Sequence, residues 1–450
     1  MVNPEVASAV LCGGPVAVGA AVYTTSAVRY VRSSKERKAA IRRAWIVRRR
    51  WKKTAMRVGL YQTDKATRVG EIGPSTATSQ KAPRVLLPTL RVRSDEYGLI
   101  IDVKTVGKLG LDAWQKAAPN LADEWLVQAV TVEATKPGWL RVRGMLRDPL
   151  TEPMDFNRPD ASAVDLKSWH VGRDSYGTQV TLRSEGVSGA VVAGLAGYGK
   201  TKLLNARISQ LAVSGAVQFV FIDGKGGPDY DDLFCRAYMF CKDDLTEARD
   251  ILRQLHKLMV ERQASISSVL GVKNMWHVGP SVAWPLVMLV IDEAHTFFYE
   301  YKGKGNEARA ALVAEITRLV EELVRKGRNV GIQVVLATQK ATGDAIPTRI
   351  RDNCQVAMSF AQRTSEAAVA VLGADISEYP EAHPRRLQDP AYIGVASMQV
   401  EGRPGYTLVR TPLATDELTA EIAAATAHLT CDPLRLLEAA LTVEPLQLAA

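Results

Sequence analysis

Residues Gly194-Leu-Ala-Gly-Tyr-Gly-Lys-Thr201 have the spacing G-x-x-x-x-G-K-T. Gly194, Gly197 and Gly199 let the backbone bend so that successive N–H groups point at phosphate oxygens, and the helix that follows adds its positive N-terminal end. Lys200 is long enough to reach β- and γ-phosphates, and the Thr201 hydroxyl can coordinate Mg²⁺. Ninety-two residues after Lys200, an apolar run that begins at Pro285 ends in Asp292 and Glu293. Asp292 is placed to hold the water shell of Mg²⁺, and Glu293 to polarise an attacking water as a general base. A further apolar run closes in Ala337-Thr-Gln339, so Gln339 can touch a γ-phosphate and sense its loss. These residue types at these spacings describe a site for ATP and Mg²⁺. Gly194, Gly197, Gly199, Lys200, Thr201 and Asp292 bind the nucleotide and its metal, and Glu293 and Gln339 act on the γ-phosphate.

Such a site needs several strand ends brought to one crevice. From about residue 165 the pattern alternates strands with helices, which predicts a parallel sheet in an α/β domain. Residues 190–193 end one strand. Val217–Asp223, Leu286–Asp292 and Gly331–Thr338 are continuous apolar runs, as expected of strands covered on both faces. Leu312, Ile316, Leu319 and Leu323 mark one face of a helix that Gly327 is expected to close in a left-handed conformation. The tetrapeptide Asp292-Glu-Ala-His295 matches that of DEAH-box helicases, but the paired arginines and glutamine of their second domain are not found. His295 therefore reads as an incidental residue at a helix start.

Outside the motor region the chemistry is thinner. The 450 residues suffice for two to three domains, and five scattered cysteines without a CxxC pair argue against a zinc site or a disulfide scaffold. The net charge of +9 is local: residues 29–57 hold thirteen Lys/Arg against the single acid Glu36, leaving −3 for the rest of the chain. A basic pI here reports one segment and does not mark the whole protein as a nucleic-acid coat. Val6 to Val28 carries no charge and is long enough to span a bilayer, which takes ~20 apolar residues. The basic cluster follows it, so charge asymmetry puts the N-terminus outside and the remainder in the cytoplasm. The expected organisation is a transmembrane segment at 1–28, a basic juxtamembrane segment at 29–60 and a linker at 61–86. A small α/β accessory module at 87–150, a motor at 151–412 and a helical tail at 413–450 follow. The basic stretch, with Trp45 and Trp51 among its arginines, reads as a stop-transfer flank, a helix on anionic lipid, or a DNA-contacting arm.

The ordered motifs resemble those of the FtsK/SpoIIIE family of hexameric double-stranded DNA translocases. Arg325-Lys-Gly-Arg328 before Gly331-Ile, the strand ending Ala337-Thr-Gln339, and Ile346-Pro-Thr-Arg-Ile350 occupy the family's positions over about 170–410. The resemblance implies a RecA-like P-loop NTPase motor with a central parallel sheet. It also implies that Arg328 reaches the ATP bound to a neighbouring subunit. Asp148-Pro-Leu150, His170-Val-Gly-Arg-Asp174, the short N-terminal membrane region and the small α/β module resemble the TraB-like branch, which moves plasmid DNA between actinobacterial cells. Three departures stand out: Tyr198 replaces a small residue in the phosphate loop, the family's Asp-Pro-Lys reads Asp223-Gly-Lys225, and no C-terminal winged helix is apparent.

The resemblance implies a membrane-tethered hexamer at the cell membrane with a cytoplasmic motor. Its partners would be ATP, double-stranded DNA and further copies of the chain, and its cargo plasmid or integrative-element DNA. The rival implied by the same motifs is an FtsK-like ATPase of a protein secretion system. A rival of another class is a nucleotide-dependent scaffold, against which the intact Glu293 speaks. Lys340, Arg349 and Arg351, following Gln339, are candidates for the DNA-facing surface.

Overall fold

The computed structural model describes residues 30–64, 84–299, 305–339 and 345–442. It divides into two compact units at the Asp148–Pro149 junction. The expected membrane segment at 1–28, most of the linker and Lys340 lie outside the described residues. Among the described residues, no helix is long and apolar enough to cross a membrane.

In the first unit, helix α1 (Lys35–Arg57) starts where the Ser34 hydroxyl accepts from the Arg37 N–H at 3.2 Å. Ala40, Ala44, Val47, Trp51 and Ala55 recur at three- and four-residue intervals and are buried. All but Ala40 pack in one core with an antiparallel sheet ordered β3-β4-β6-β5 and with helix α2 (Leu111–Trp125). The strands are β3 (Thr89–Ser94), β4 (Gly98–Lys104), β5 (Ala129–Lys136) and β6 (Trp139–Met145). A two-stranded ribbon, β1 (Gln62–Asp64) with β2 (Arg84–Leu86), precedes them. Trp51 stacks on Trp114 with centroids 5.6 Å apart and donates its indole N–H to the Pro88 carbonyl at 2.8 Å. The basic segment and the α/β module, which the sequence reading separates, thus share one hydrophobic core.

The second unit is built on one ten-stranded sheet, ordered β11-β10-β12-β13-β9-β14-β15-β16-β7-β8. Its first six strands run parallel: β11 (Ala237–Lys242), β10 (Val217–Asp223), β12 (Leu286–Asp292), β13 (Ile332–Thr338), β9 (Gly189–Ala193) and β14 (Val356–Ser359). Every residue of β9, β10, β12 and β13 is buried, as their mostly apolar runs predict, with Gln218 and Gln333 buried among them. The other four, β15 (Val395–Met398), β16 (Thr407–Arg410), β7 (Ser168–Asp174) and β8 (Gln179–Arg183), extend it antiparallel. The sheet is therefore mixed, where the sequence predicts a parallel one. Short strands joined by turns such as Gly402–Gly405 can pair as hairpins, which need no crossover helix.

The helices that follow these strands include α3 (Lys200–Ala212), α4 (Leu245–Leu270), the short α5 (His295–Phe298) and α6 (Glu307–Lys326), with α4 packed on α6. One expectation is corrected here. Gly327 does not close α6 in a left-handed conformation; its φ is −69°. A 3₁₀ turn over Gly327–Val330 follows, and the left-handed residue is Gly331, φ +78°. A Cβ at Gly327 would lie 2.8 Å from the Ile332 carbonyl oxygen, so close backbone approach accounts for that glycine.

Candidate nucleotide site

Strand register assembles the site. Asp223 pairs with Asp292 across β10 and β12, and Thr338 pairs with Ala193 across β13 and β9. Asp292, Glu293, Gln339 and the loop after Ala193 therefore emerge at the same edge of the sheet. In open α/β sheets this carboxyl edge is where ligands bind. A cavity of about 910 Å³ opens there, lined by Gly197, Gly199, Lys200, Thr201, Asp292, Glu293 and Gln339 among others. The structure thus brings together the cis residues singled out from sequence, with Gly194 at the base of the same loop.

The loop geometry depends on its glycines. Gly194 has φ +151°, and a Cβ there would sit 2.6 Å from the Phe360 Cβ. Gly199, φ +107°, is the residue before α3 and lies against the Gly394 backbone. The Lys200 ammonium donates to the carbonyls of Gly194 (2.6 Å) and Leu195 (3.0 Å), folding back over its own loop. Burial pulls its pKa below the ordinary lysine value; Asp292 and Glu293 oppose that pull and Lys225 reinforces it. A phosphate arriving in the loop supplies the anion that this buried cation lacks.

Tyr198, unexplained by the motif, has a structural role. Its hydroxyl donates to the Gln388 carbonyl at 2.8 Å, and its own carbonyl accepts from the Gly394 N–H at 3.1 Å. Its ring packs beside Leu150, Ala361, Leu387 and Val395. The phosphate loop is thereby tied to segment 388–394, which forms the opposite wall of the cavity through Pro390, Ala391 and Ile393.

The acids differ in environment. Asp292 is buried, and desolvation raises its carboxyl above the usual range; the Glu293 N–H and the Tyr230 hydroxyl oppose that rise. The Glu293 N–H donates to Asp292 Oδ1 at 2.8 Å. Glu293 itself adopts φ +48°, a left-handed conformation uncommon for a residue with a Cβ and found preferentially at functional sites. Its Oε2 accepts from the Gln339 N–H at 3.0 Å, so the sensor strand holds the candidate base directly. His295 opens α5 with Nδ1 3.8 Å from Glu293 Oε1, closer to the site than its reading as an incidental residue implies. Lys225 also lines the cavity, paired with Asp229 at 2.7 Å. Sequence reasoning noted Lys225 only as a departure; its signal is its position two residues beyond the β10 end.

The residues fit Mg²⁺. Thr201 and Asp292 offer hard oxygen donors on the cavity wall, and a second buried carboxylate oxygen, Asp223 Oδ2, has no hydrogen-bond partner. Among the described residues no cluster of three or more His, Cys, Asp or Glu could form an all-protein metal cage.

Arg328 is not brought to this edge. It precedes β13, at the opposite end from Gln339, and its guanidinium lies over Gly186 beside a second cavity that Arg351 also lines. Arg349 pairs with Glu321 at 3.0 Å, and Arg351 donates to the Ala370 carbonyl at 2.7 Å, so both have structural partners.

No protein-family model matches the chain. A segment of 218 residues, 44% of the chain, is 28% identical to the DNA translocase FtsK of Leptospira interrogans serogroup Icterohaemorrhagiae serovar copenhageni (strain Fiocruz L1-130). The FtsK of serovar Lai (strain 56601) matches identically. The match spans 21% of those relatives' length. The pCW3 conjugation coupling protein TcpA, in monomer form with ATPgS, shares the fold: TM-score 0.50, 16% identity, covering 79% of this chain and 94% of that one. The cytoplasmic domain of the Thermomonospora curvata type VII secretion ATPase EccC aligns at TM-score 0.47 and 18% identity, over 64% of this chain and 34% of that one. The ordered motifs and the matched segment make this chain similar to the FtsK/SpoIIIE family of P-loop ATPases.

Proposed function

We propose that the chain couples ATP hydrolysis to movement of double-stranded DNA, as a six-membered ring tethered to the cell membrane through residues 6–28 with its motor in the cytoplasm. One observation carries the reading. The residues expected of the cis half of a hydrolytic site line one edge of the sheet, while Arg328 stands at the other edge, which this reading assigns to a neighbour's nucleotide. Lys200 would leave the carbonyls of Gly194 and Leu195 for the β- and γ-phosphates, and Glu293, held by the Gln339 N–H, would polarise the attacking water. Mg²⁺ held by Thr201 and, through water, by Asp292 would supply charge neutralisation at the phosphates. Arg328 of the adjacent subunit would stabilise charge on the γ-phosphate, making turnover conditional on assembly. The cargo would be plasmid or integrative-element DNA passing between cells, gripped through its phosphates and therefore with steep salt dependence.

The test is ATPase activity with and without long duplex DNA, joined to a triplex-displacement assay, on the wild type and Arg328→Ala. Stimulation by duplex and displacement that are lost in the mutant, with nucleotide binding retained, support the reading. ATPase activity indifferent to duplex but raised by a secreted peptide would replace it with the secretion-motor reading.

A further inference from the structure

The face of α1 opposite its buried side forms a stripe. Arg42, Trp45, Arg49, Lys53 and Met56 follow one another at intervals of three, four, four and three residues, and so lie in line along the helix. All five are exposed, Trp45 by 58% and Met56 by 46%. Among the described residues none of the three cations has an ion pair, though Arg42 donates to the Tyr30 hydroxyl at 3.2 Å; Arg57, at the end of α1, pairs with Glu124. Arg49 lies over the Trp45 ring at 5.1 Å, so the indole is held among cations and not folded under the helix. The opposite side, Ala44, Val47, Trp51 and Ala55, is locked in the module's core, which fixes the direction the stripe faces.

Cations alone would suit any polyanion. A large indole and a thioether exposed between them would gain nothing against a phosphate backbone, but each is stabilised by burial at a lipid headgroup boundary. A helix with a basic, aromatic-bearing outer stripe running ~20 Å along its axis matches a planar anionic surface. Its first residue also follows the uncharged run 6–28 by only seven positions.

We infer that the outer face of α1 is a docking surface for an anionic bilayer leaflet, seating the folded first unit flat on the membrane. This extends the tethering part of the proposed function from an apolar segment to a folded, charge-selective face. Each cation near such a surface contributes about fivefold in partitioning, so the three cations of the stripe together contribute on the order of a hundredfold.

The full-length chain would be mixed with vesicles of phosphatidylcholine alone and with vesicles in which a third of the lipid is phosphatidylglycerol. Binding would be read by co-pelleting and by quenching of Trp fluorescence with brominated lipid. The wild type should prefer the anionic vesicles by on the order of a hundredfold. The triple variant Arg42→Glu/Arg49→Glu/Lys53→Glu should lose that preference while retaining any composition-independent binding contributed by residues 6–28. Trp45→Phe should reduce the quenching. All four positions are exposed, and unchanged thermal unfolding would show that the fold survives. DNA-stimulated ATPase activity off the membrane is measured on the same samples; its failure would count against the motor reading and leave this inference standing. Equal preference of the triple variant and the wild type for anionic vesicles overturns the inference. So does loss of duplex binding in the variant with vesicle binding unchanged, which would assign the face to DNA.

Discussion

The position of Arg328 makes a quantitative prediction. Arg328 and Gln339 flank the seven-residue strand β13, which at ~3.3 Å per residue separates them by roughly 20 Å. No arginine side chain covers that distance, so Arg328 cannot serve the nucleotide of its own subunit. Each active site in a head-to-tail ring would then need Lys200 and Glu293 from one subunit and Arg328 from the next. Arg328→Ala should bind ATP with near wild-type affinity and lose ~10³-fold or more in turnover, the range seen when an arginine supplied in trans is removed. Lys200→Ala should also be inactive, because its own loop cannot hold the phosphates. Mixing the two dead variants should restore activity. Arg328→Ala subunits keep an intact loop, Lys200→Ala subunits keep an intact arginine, and in an equal random ring about a quarter of the head-to-tail interfaces combine the two. Steady-state ATPase activity on the mixture should therefore approach a quarter of wild type if sites fire independently, and less if they fire in sequence. A mixture as inactive as its parents, with co-assembly verified by native mass spectrometry, would refute the shared site. So would an active Arg328→Ala enzyme.

Four other outcomes follow from the site. Glu293→Gln preserves an acceptor for the Gln339 N–H but removes the basic charge; single-turnover hydrolysis should slow by ~10²–10⁴-fold while nucleotide binding persists. Tyr198→Phe loses one neutral hydrogen bond, about 1 kcal/mol, and Tyr198→Ala also loses the packed ring, for about 2–3 kcal/mol in all. Both losses are read by thermal unfolding, and only the alanine variant should weaken ATP binding measurably by calorimetry. Gly194→Ala forces a Cβ into Phe360 and should abolish nucleotide binding in the same assay. Asp292 gives a pH signature. Its folded-state pKa is raised above its ordinary 3.8, so the folded protein holds that proton more tightly than the unfolded chain. Its contribution to stability therefore declines as pH climbs through the raised value. Asp292→Asn should flatten that decline in the nucleotide-free protein and raise its Tm, by about 2–4 °C for each kcal/mol relieved. An unchanged pH profile would show that Asp292 is not strained by burial.

What could be read from the chain follows the range of the interactions involved. The phosphate loop and the ends of β10, β12 and β13 are legible because each is a local pattern, an apolar run closed by polar residues. The antiparallel half of the sheet is not, because β16 near residue 410 pairs with β7 near 174, and no local period records such a pairing. Tyr198 is opaque for the same reason, since Gln388 lies 190 residues away. The buried face of α1 is hidden differently. Ala40, Ala44, Val47, Trp51 and Ala55 have helical spacing, but small residues among eleven cations give a weak apolar signal, so charge dominates the reading.

The contacts of the loop also bear on how a site of this kind could report its state. Three features converge on the cavity from separate parts of the chain. The Gln339 N–H holds Glu293 from β13, Tyr198 holds segment 388–394 from the phosphate loop, and Lys200 closes on the loop's own carbonyls. A triphosphate entering the loop would compete with the Gly194 and Leu195 carbonyls for the Lys200 ammonium. Segment 388–394 leads directly into β15 (Val395–Met398), the first strand of the antiparallel extension. Tyr198 thus joins the phosphate loop to the segment that enters the antiparallel part of the sheet. A small residue in its place would lose the Gln388 link and the packed ring and keep only the backbone bond from the Gly394 N–H.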